Sequence, residues 1–146
     1  MRKCTENGLN LIKRYEKLAL RTYICPAGYP TIGYGHVVKI AEAESFKNGI
    51  TESQADVFLE VDVAVAERAV LRLITAPLTD GQFDALVAFT FNLGSGALQR
   101  STLRRKVNRE DHDDVPAELM KWVWAGGRKL NGLIRRRKSE ILLYGL

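Results

Sequence analysis

EKLALRTYICPAGYPTIGYGH, residues 16–36, opens on a carboxylate at the end of one helix-patterned segment and closes on a glycine–aromatic run carrying a histidine. Between them lie a cysteine, two threonines, three tyrosines, two prolines and three glycines. Few purely structural stretches mix an acid, a thiol, a hydroxyl and turn glycines so densely, and the composition points to a catalytic loop. From Arg21 to Val38 the helical period is lost. Tyr23-Ile24 and Thr31-Ile32 favour strand, while Pro26-Ala27-Gly28, Gly33 and Gly35 supply turn chemistry. The pattern predicts a small antiparallel hairpin or three-stranded sheet, which must lean on helices to be stable.

The flanks predict those helices. Upstream, Thr5 reads as an N-cap with Glu6 in the first turn, and Leu9, Ile12 and Tyr15 recur at helical spacing, ending near Glu16 or Lys17. Downstream, Lys39 to Gly49 is polar and reads as a loop with a short helical piece. Thr51-Glu52-Ser53-Gln54 is a capping box, and apolar residues from Ala55 to Ile74 predict a long helix that Pro77 stops. Thr79-Asp80-Gly81-Gln82 is a second capping box, followed by an almost wholly apolar helix through Phe83, Leu86, Val87, Thr90 and Phe91, closed by Gly94. Ala97 to Val107 is predicted as one basic amphipathic helix. Asp113-Asp114 caps a helix predicted from Val115-Pro116 through Trp122 and Trp124, where both indoles are expected to be core, until Gly126-Gly127. The last helix is predicted from Asn131 or Gly132 to about Tyr144. The fold class is α+β: mostly helical, with one small N-terminal antiparallel sheet. One domain over residues 1–146 is expected, with an N-terminal lobe over about 1–50, a linking helix over about 52–75 and a helical lobe over about 76–146.

The 146 residues suffice for a core without staples. Hydrophobic residues make up 46% and charged residues 27%, a globular composition. No apolar run approaches the ~20 residues of a membrane span, and charge breaks up the first twenty positions, unlike the core of a signal peptide. Synthesis in a cytoplasm is therefore expected, with stable membrane insertion not expected. The net charge of +5 favours polyanions: nucleic acid, anionic membrane or acidic wall polymer. Two cysteines, Cys4 and Cys25, are too few for a disulfide scaffold, and two histidines offer no zinc spacing. No metal or cofactor is expected.

The spacing from Glu16 over eight residues to Cys25, and over five more to Thr31, resembles the phage-type lysozymes, glycoside hydrolase family 24. Further landmarks occur in the family's order along nearly the whole chain: Gly8-Leu9, Cys25-Pro26-Ala27-Gly28, Thr31-Ile32-Gly33-Tyr34-Gly35-His36, Phe91-Asn92-Leu93-Gly94, and Gly132-Leu133 followed by Arg136-Arg137 and Glu140. The Thr-Ile-Gly-Tyr-Gly-His run is the specific one. The family more often carries Asp where this chain has Cys25, although cysteine occurs there in some members.

The resemblance implies a muramidase that hydrolyses the β-1,4 bond between N-acetylmuramic acid and N-acetylglucosamine of peptidoglycan, an endolysin of the lambdoid or prophage type. Glu16 is then the general acid, its pKa expected to be raised at the negative end of a helix. Cys25 is the residue on the second face, as base, charge stabiliser or nucleophile. Thr31 holds the attacking water, which gives inversion; a covalent sugar on Cys25 gives retention. Asn92 and Gly35 are placed on the substrate side. His36 is assigned a structural pairing with Asp62, and Arg136 or Arg137 a contact with the active acid, with most of the Arg135–Lys138 run solvated. A Cys4–Cys25 disulfide is not expected, because the helix between them holds its ends roughly 15–18 Å apart. The enzyme is expected as a monomer, made in the host cytoplasm, acting in the periplasm and released by a separate holin-type protein. The alternatives are a lysozyme-like wall binder without catalysis, a lytic transglycosylase and, on the evidence of Arg104-Arg105-Lys106 and Arg135 to Lys138, a nucleic-acid-binding module. The last is disfavoured because the basic runs lack interleaved aromatics and no phosphate loop is present.

Overall fold

A computed structural model describes all residues 1–146. It is an α+β fold of seven α-helices, one three-stranded sheet and one two-stranded hairpin. The chain divides into two compact units: Lys13–Ala64, and Met1–Ile12 with Val65–Leu146. Residues 1–12 thus group with the helical part, not with the sheet.

The unit Lys13–Ala64 starts with the last turn of α1 (Glu6–Glu16) and turns directly into β1 (Ala19–Ile24). β1 pairs antiparallel with β2 (Pro30–Gly33), with Tyr23 opposite Thr31 and Ile24 opposite Pro30. β2 pairs with β3 (His36–Val37) on its other edge, Ile32 opposite His36. The sheet is too small to close a core alone. Its inner residues Ile32, Tyr34 and Val38, with Phe46 and Ile50 from the following segment, are buried together with Ala55, Leu59 and Val63 of α2 (Glu52–Leu73). Lys39–Gly49 holds two single 3₁₀ turns, Ile40–Glu42 and Glu44–Phe46, where a loop with one short helical piece was expected. α2 begins as its capping box demands: the Gln54 amide donates to Thr51 Oγ1 at 3.1 Å and the Thr51 amide to Gln54 Oε1 at 2.8 Å.

In the other unit, α3 (Asp80–Leu93) is the centre. Thr79 and Gln82 form its capping box, and every residue from Phe83 to Thr90 is buried. It packs along α7 (Asn131–Tyr144). Phe83, Leu86 and Phe89 are fully enclosed, and truncating such a phenylalanine to alanine costs about 3–5 kcal/mol. Thr5 stands at the head of α1 as expected, and here α1 is held by carboxylates from other helices. The Thr5 amide donates to Asp84 Oδ1 at 2.8 Å, the Thr5 hydroxyl donates to Asp84 Oδ2, and the Cys4 amide donates to Glu67 Oε2 at 2.5 Å. Negative charge there complements the helix N-terminus.

Two predicted helices are corrected. The basic segment is two helices, α4 (Ser95–Arg100) and α5 (Thr102–Asn108), because Ser101 is extended and its hydroxyl accepts the Arg104 amide at 3.0 Å as the N-cap of α5. The helix predicted through both tryptophans is a short α6 (Val115–Leu119) followed by a hairpin, β4 (Trp124–Ala125) and β5 (Arg128–Lys129). Gly126 and Gly127, at φ 58° and 77°, are the two-residue turn that joins them. Trp122 packs edge-on to Phe89, with centroids 5.6 Å apart. Trp124 is 57% exposed with Lys129 over its ring, so the expectation that it is core fails.

Candidate active site

Glu16, Cys25 and Thr31 all belong to the unit Lys13–Ala64, on three consecutive pieces of chain. Glu16 is the last residue of α1 and is half-buried. The chain leaves the helix through Lys17 in the left-handed region, at φ 60°, its amide still bonded to Lys13 O at 2.9 Å. That conformation is uncommon for a residue with a side chain, and it turns the backbone sharply from helix into β1. Gly35, at φ 81°, comes up against the Glu16 carboxylate: a Cβ there would sit 2.7 Å from Oε1. Gly35 therefore acts on Glu16 through close backbone approach, a route the sequence did not reveal.

Cys25 follows β1 and opens a turn. Its carbonyl accepts the Gly28 amide at 2.8 Å, and its own amide donates to Tyr29 O at 2.9 Å, with Gly28 at φ 91°. The thiol is half-buried and free. Its pKa is lowered from the ordinary thiol value, chiefly by the Tyr29 amide; burial opposes this as the next largest effect, and the Thr31 hydroxyl and the amides of Ala27 and Gly28 add to the lowering. Converging amides favour an anion at that sulfur. Thr31 is 3% exposed at the centre of β2, and its hydroxyl donates to Tyr29 O at 3.0 Å. One hydroxyl proton serves either Tyr29 O or the sulfur, and the oxygen lone pairs stay available to a water.

His36 lies beside this loop between two carboxylates. Nδ1 is 2.7 Å from Asp62 Oδ2, the partner named from the sequence, and Nε2 is 3.2 Å from Glu42 Oε2, a second partner that was not. Its ring stacks on Phe58 at 5.1 Å and meets Phe46 edge-on. The Lys39 amide and His36 together hold the Glu42 carboxyl below the usual carboxylate range. Both ring nitrogens are engaged, which suits a bolt between β3, the 3₁₀ turn and α2.

Asn92, Arg136 and Arg137 belong to the other unit. Arg137 Nη2 donates to Asn92 Oδ1. A guanidinium has only donors, so this contact fixes the amide orientation, with Oδ1 on Arg137 and Nδ2 as the remaining donor. Arg137 and Glu140 are wholly buried, with Nε 3.0 Å from Glu140 Oε1. Arg136 is buried too, its Nε 3.4 Å from Glu140 Oε2 and its Nη2 donating to Ala88 O at 3.2 Å. The Arg135–Lys138 run is thus half core, not mostly solvated; only Arg135 and Lys138 are exposed. Burial raises the Glu140 carboxyl to about 7 against the opposing pull of both guanidiniums. The i, i+3 and i, i+4 spacings of Arg137 and Arg136 to Glu140 were visible in the sequence. Nothing local said that this face turns inward. No three His, Cys, Asp or Glu side chains are grouped to hold a metal ion.

Residues 13–140 match the phage lysozyme family model. An endolysin from Acyrthosiphon pisum secondary endosymbiont phage 1 is 42% identical over 144 residues, 96% of either chain. Among solved structures, a mutant of the lysozyme of phage P22 superposes with a TM-score of 0.88 at 30% identity, covering both chains completely. The muramidase domain of SpmX from Asticaccaulis excentricus gives 0.86 at 35% identity, over 99% of this chain and 98% of that one. With the fold, the order of its landmarks and these relatives in agreement, the chain belongs to the phage lysozyme family.

Proposed function

We propose that Glu16, Cys25 and Thr31 carry out glycoside hydrolysis in this chain, with peptidoglycan as the substrate. As a member of the phage lysozyme family and a close relative of endolysins, the chain is a glycoside hydrolase, an endolysin muramidase that cleaves the β-1,4 link between N-acetylmuramic acid and N-acetylglucosamine. The observation that carries the residue assignment is the loop itself: the acid against Gly35, and a thiol under three amides and a threonine hydroxyl, within one compact unit.

In the proposed reaction Glu16 gives its proton to the glycosidic oxygen as the C1–O bond breaks, the electron pair leaving with that oxygen. Water held at Thr31 Oγ1 adds to C1 from the opposite face. Its proton passes to the Cys25 thiolate, and solvent then resets both groups. The configuration at C1 inverts. Gly35 borders the sugar beside Glu16. Asn92 is proposed separately as a sugar-binding residue, with Nδ2 as the donor to an N-acetyl or hydroxyl oxygen. Attack by Cys25 itself is the second reading, favoured by the same lowered thiol pKa, and it retains configuration.

Turbidity loss of outer-membrane-permeabilised Gram-negative cells tests the assignment. The native chain clears the suspension, and Glu16→Gln, still folded, leaves it cloudy; clearing by Glu16→Gln removes the acid from the proposal. The anomer first formed from a soluble chitooligosaccharide, read by proton NMR, separates water attack from thiol attack. Anhydro-muramyl products identify a transglycosylase instead. We further propose a monomer forming a single lysozyme-like domain, made in the host cytoplasm and let into the periplasm by a separate holin-type protein. No helix of the chain is long and apolar enough to cross a membrane. Cells expressing the chain alone then lyse only when their inner membrane is opened, and sedimentation gives the mass of one chain.

A further inference from the structure

The basic segment that reads along the chain as a possible nucleic-acid contact folds into something more specific. Ser101, extended between α4 and α5, separates the two helices, and Gln99, Arg100, Ser101, Arg104, Arg105, Asn108 and Arg109 line one surface hollow of about 460 Å³. Its base is braced. Arg104 Nε donates to Leu73 O at 2.9 Å and its Nη1 to Gln99 O at 3.3 Å. Asn108 Nδ2 donates to the same Leu73 carbonyl at 3.1 Å, and Asn108 Oδ1 accepts the Thr75 amide at 2.8 Å. Arg105 Nη2 reaches only the Thr102 hydroxyl, at 3.3 Å, and Arg100 rests against the Trp122 ring. Arg109 alone meets a carboxylate, Asp111, at 3.2 Å.

Four arginines thus line one hollow, and one carboxylate, Asp111, pairs with them from outside its lining. We propose that this hollow is a binding site for a phosphate group. The charge balance selects the ligand class: the surplus of cation exceeds what a single carboxylate neutralises, whereas a phosphate monoester carries about −1.5 to −2 charge and three acceptor oxygens. Guanidinium forks suit that geometry in pairs. Held by two carbonyls, Arg104 loses little freedom on binding. The phosphate comes either from a soluble ion or from an ester on an envelope lipid. The site lies entirely in the unit with Val65–Leu146, and it stands or falls independently of the hydrolytic assignment.

Arginine Nε–Hε resonances give the test, with inorganic pyrophosphate as the probe at moderate ionic strength. The site requires saturable shifts at Arg100 and Arg105, and affinity about tenfold lower or worse in the Arg100→Gln/Arg105→Gln double variant, as expected when charge-assisted bonds are removed. Arg128→Gln/Lys129→Gln, on the hairpin, binds as the native chain does. Citrate competes weakly. Shifts spread evenly over all exposed arginines, undiminished binding in the double variant, or citrate binding as tightly as pyrophosphate each overturns the proposal. Phosphatidylcholine vesicles doped with phosphatidic acid identify the source: pyrophosphate-reversible capture assigns a lipid ester, and pyrophosphate binding without capture assigns a soluble ion. Both variants clear permeabilised cells at the native rate.

Discussion

Substitution of Gly35 by alanine isolates the contact that holds the acid in place. The position has φ 81°, so any side chain carries the left-handed strain of about 1–2 kcal/mol, offset by about 0.4–1 kcal/mol from a stiffer unfolded chain. The new Cβ would also stand 2.7 Å from Glu16 Oε1, where ordinary contact begins at 3.4 Å. The carboxylate must therefore retreat by roughly 0.7 Å, since repulsion is steep at that range. A misplacement of about 1 Å at a catalytic group costs about a hundredfold in rate, so Gly35→Ala should lose between about ten- and a hundredfold in lysis rate while losing only about 1 kcal/mol of stability. Gly33→Ala is the control. It sits at φ 66° and bears the same strain, but its Cβ meets nothing closer than 3.5 Å, and that neighbour is Ala55. Urea denaturation should show the two variants equally destabilised, and turbidity assays should separate them by tenfold or more. Equal rates per folded molecule would refute the claim that Gly35 positions Glu16.

The buried pair in α7 should respond to pH. Glu140 titrates near 7, above its unfolded value, so its protonated form is favoured by folding, and that contribution, complete below the unfolded carboxylate value, is lost as pH rises through 7. Glu140→Gln should therefore cost less at pH 8 than at pH 5, because the native chain loses this contribution between the two while the variant has no group there to titrate; a cost in urea melts that is equal at both pH values, or larger at pH 8, would contradict this. The two thiols should differ sharply toward iodoacetamide at pH 7. Cys25 is accessible with its pKa lowered, whereas burial and the neighbouring Asp84 push the Cys4 thiol up, so mass spectrometry should find Cys25 carboxamidomethylated first and lysis lost in step. Modification of Cys4 first would reverse the assignment of environments.

What was legible in the sequence was what local chemistry decides. Thr51 with Gln54, and Thr79 with Gln82, start α2 and α3 because a capping box needs only four residues of chain. The elements that carry Glu16, Cys25 and Thr31 were legible for the same reason, since one helix end and one hairpin hold all three. Ser101 escaped because the basic amphipathic pattern runs on across it, with no Glu or Gln three residues later to complete a capping box. The hairpin around Gly126-Gly127 escaped because strands of two residues leave no alternation to read. The partnership of Arg137 with Asn92 spans 45 positions, and only the packing of α7 on α3 brings it about. In a run of three arginines, nothing but that packing decides which two are buried.

Cys25 stands where the family more often has aspartate, and the loop offers donors that suit either anion. The Tyr29, Ala27 and Gly28 amides and the Thr31 hydroxyl are donors to an anion and do not distinguish sulfur from oxygen. They lower a thiol pKa, and they would lower a carboxyl pKa in the same sense. The two anions differ in where on the pH scale they disappear: a thiolate, even a favoured one, is protonated well above the pH at which a carboxylate is. If the Cys25 thiolate takes the proton of the attacking water, the native lysis rate falls as pH drops through the thiol pKa. Cys25→Asp should then move the acid limb of the pH–rate profile down by one unit or more, toward the range of an ordinary carboxylate near pH 4. Cys25→Ser, which has no anion in that range, should lose activity at every pH. An unchanged acid limb in Cys25→Asp would show that ionisation at this position does not limit the reaction, and the thiol would then keep its place in the loop only by shape.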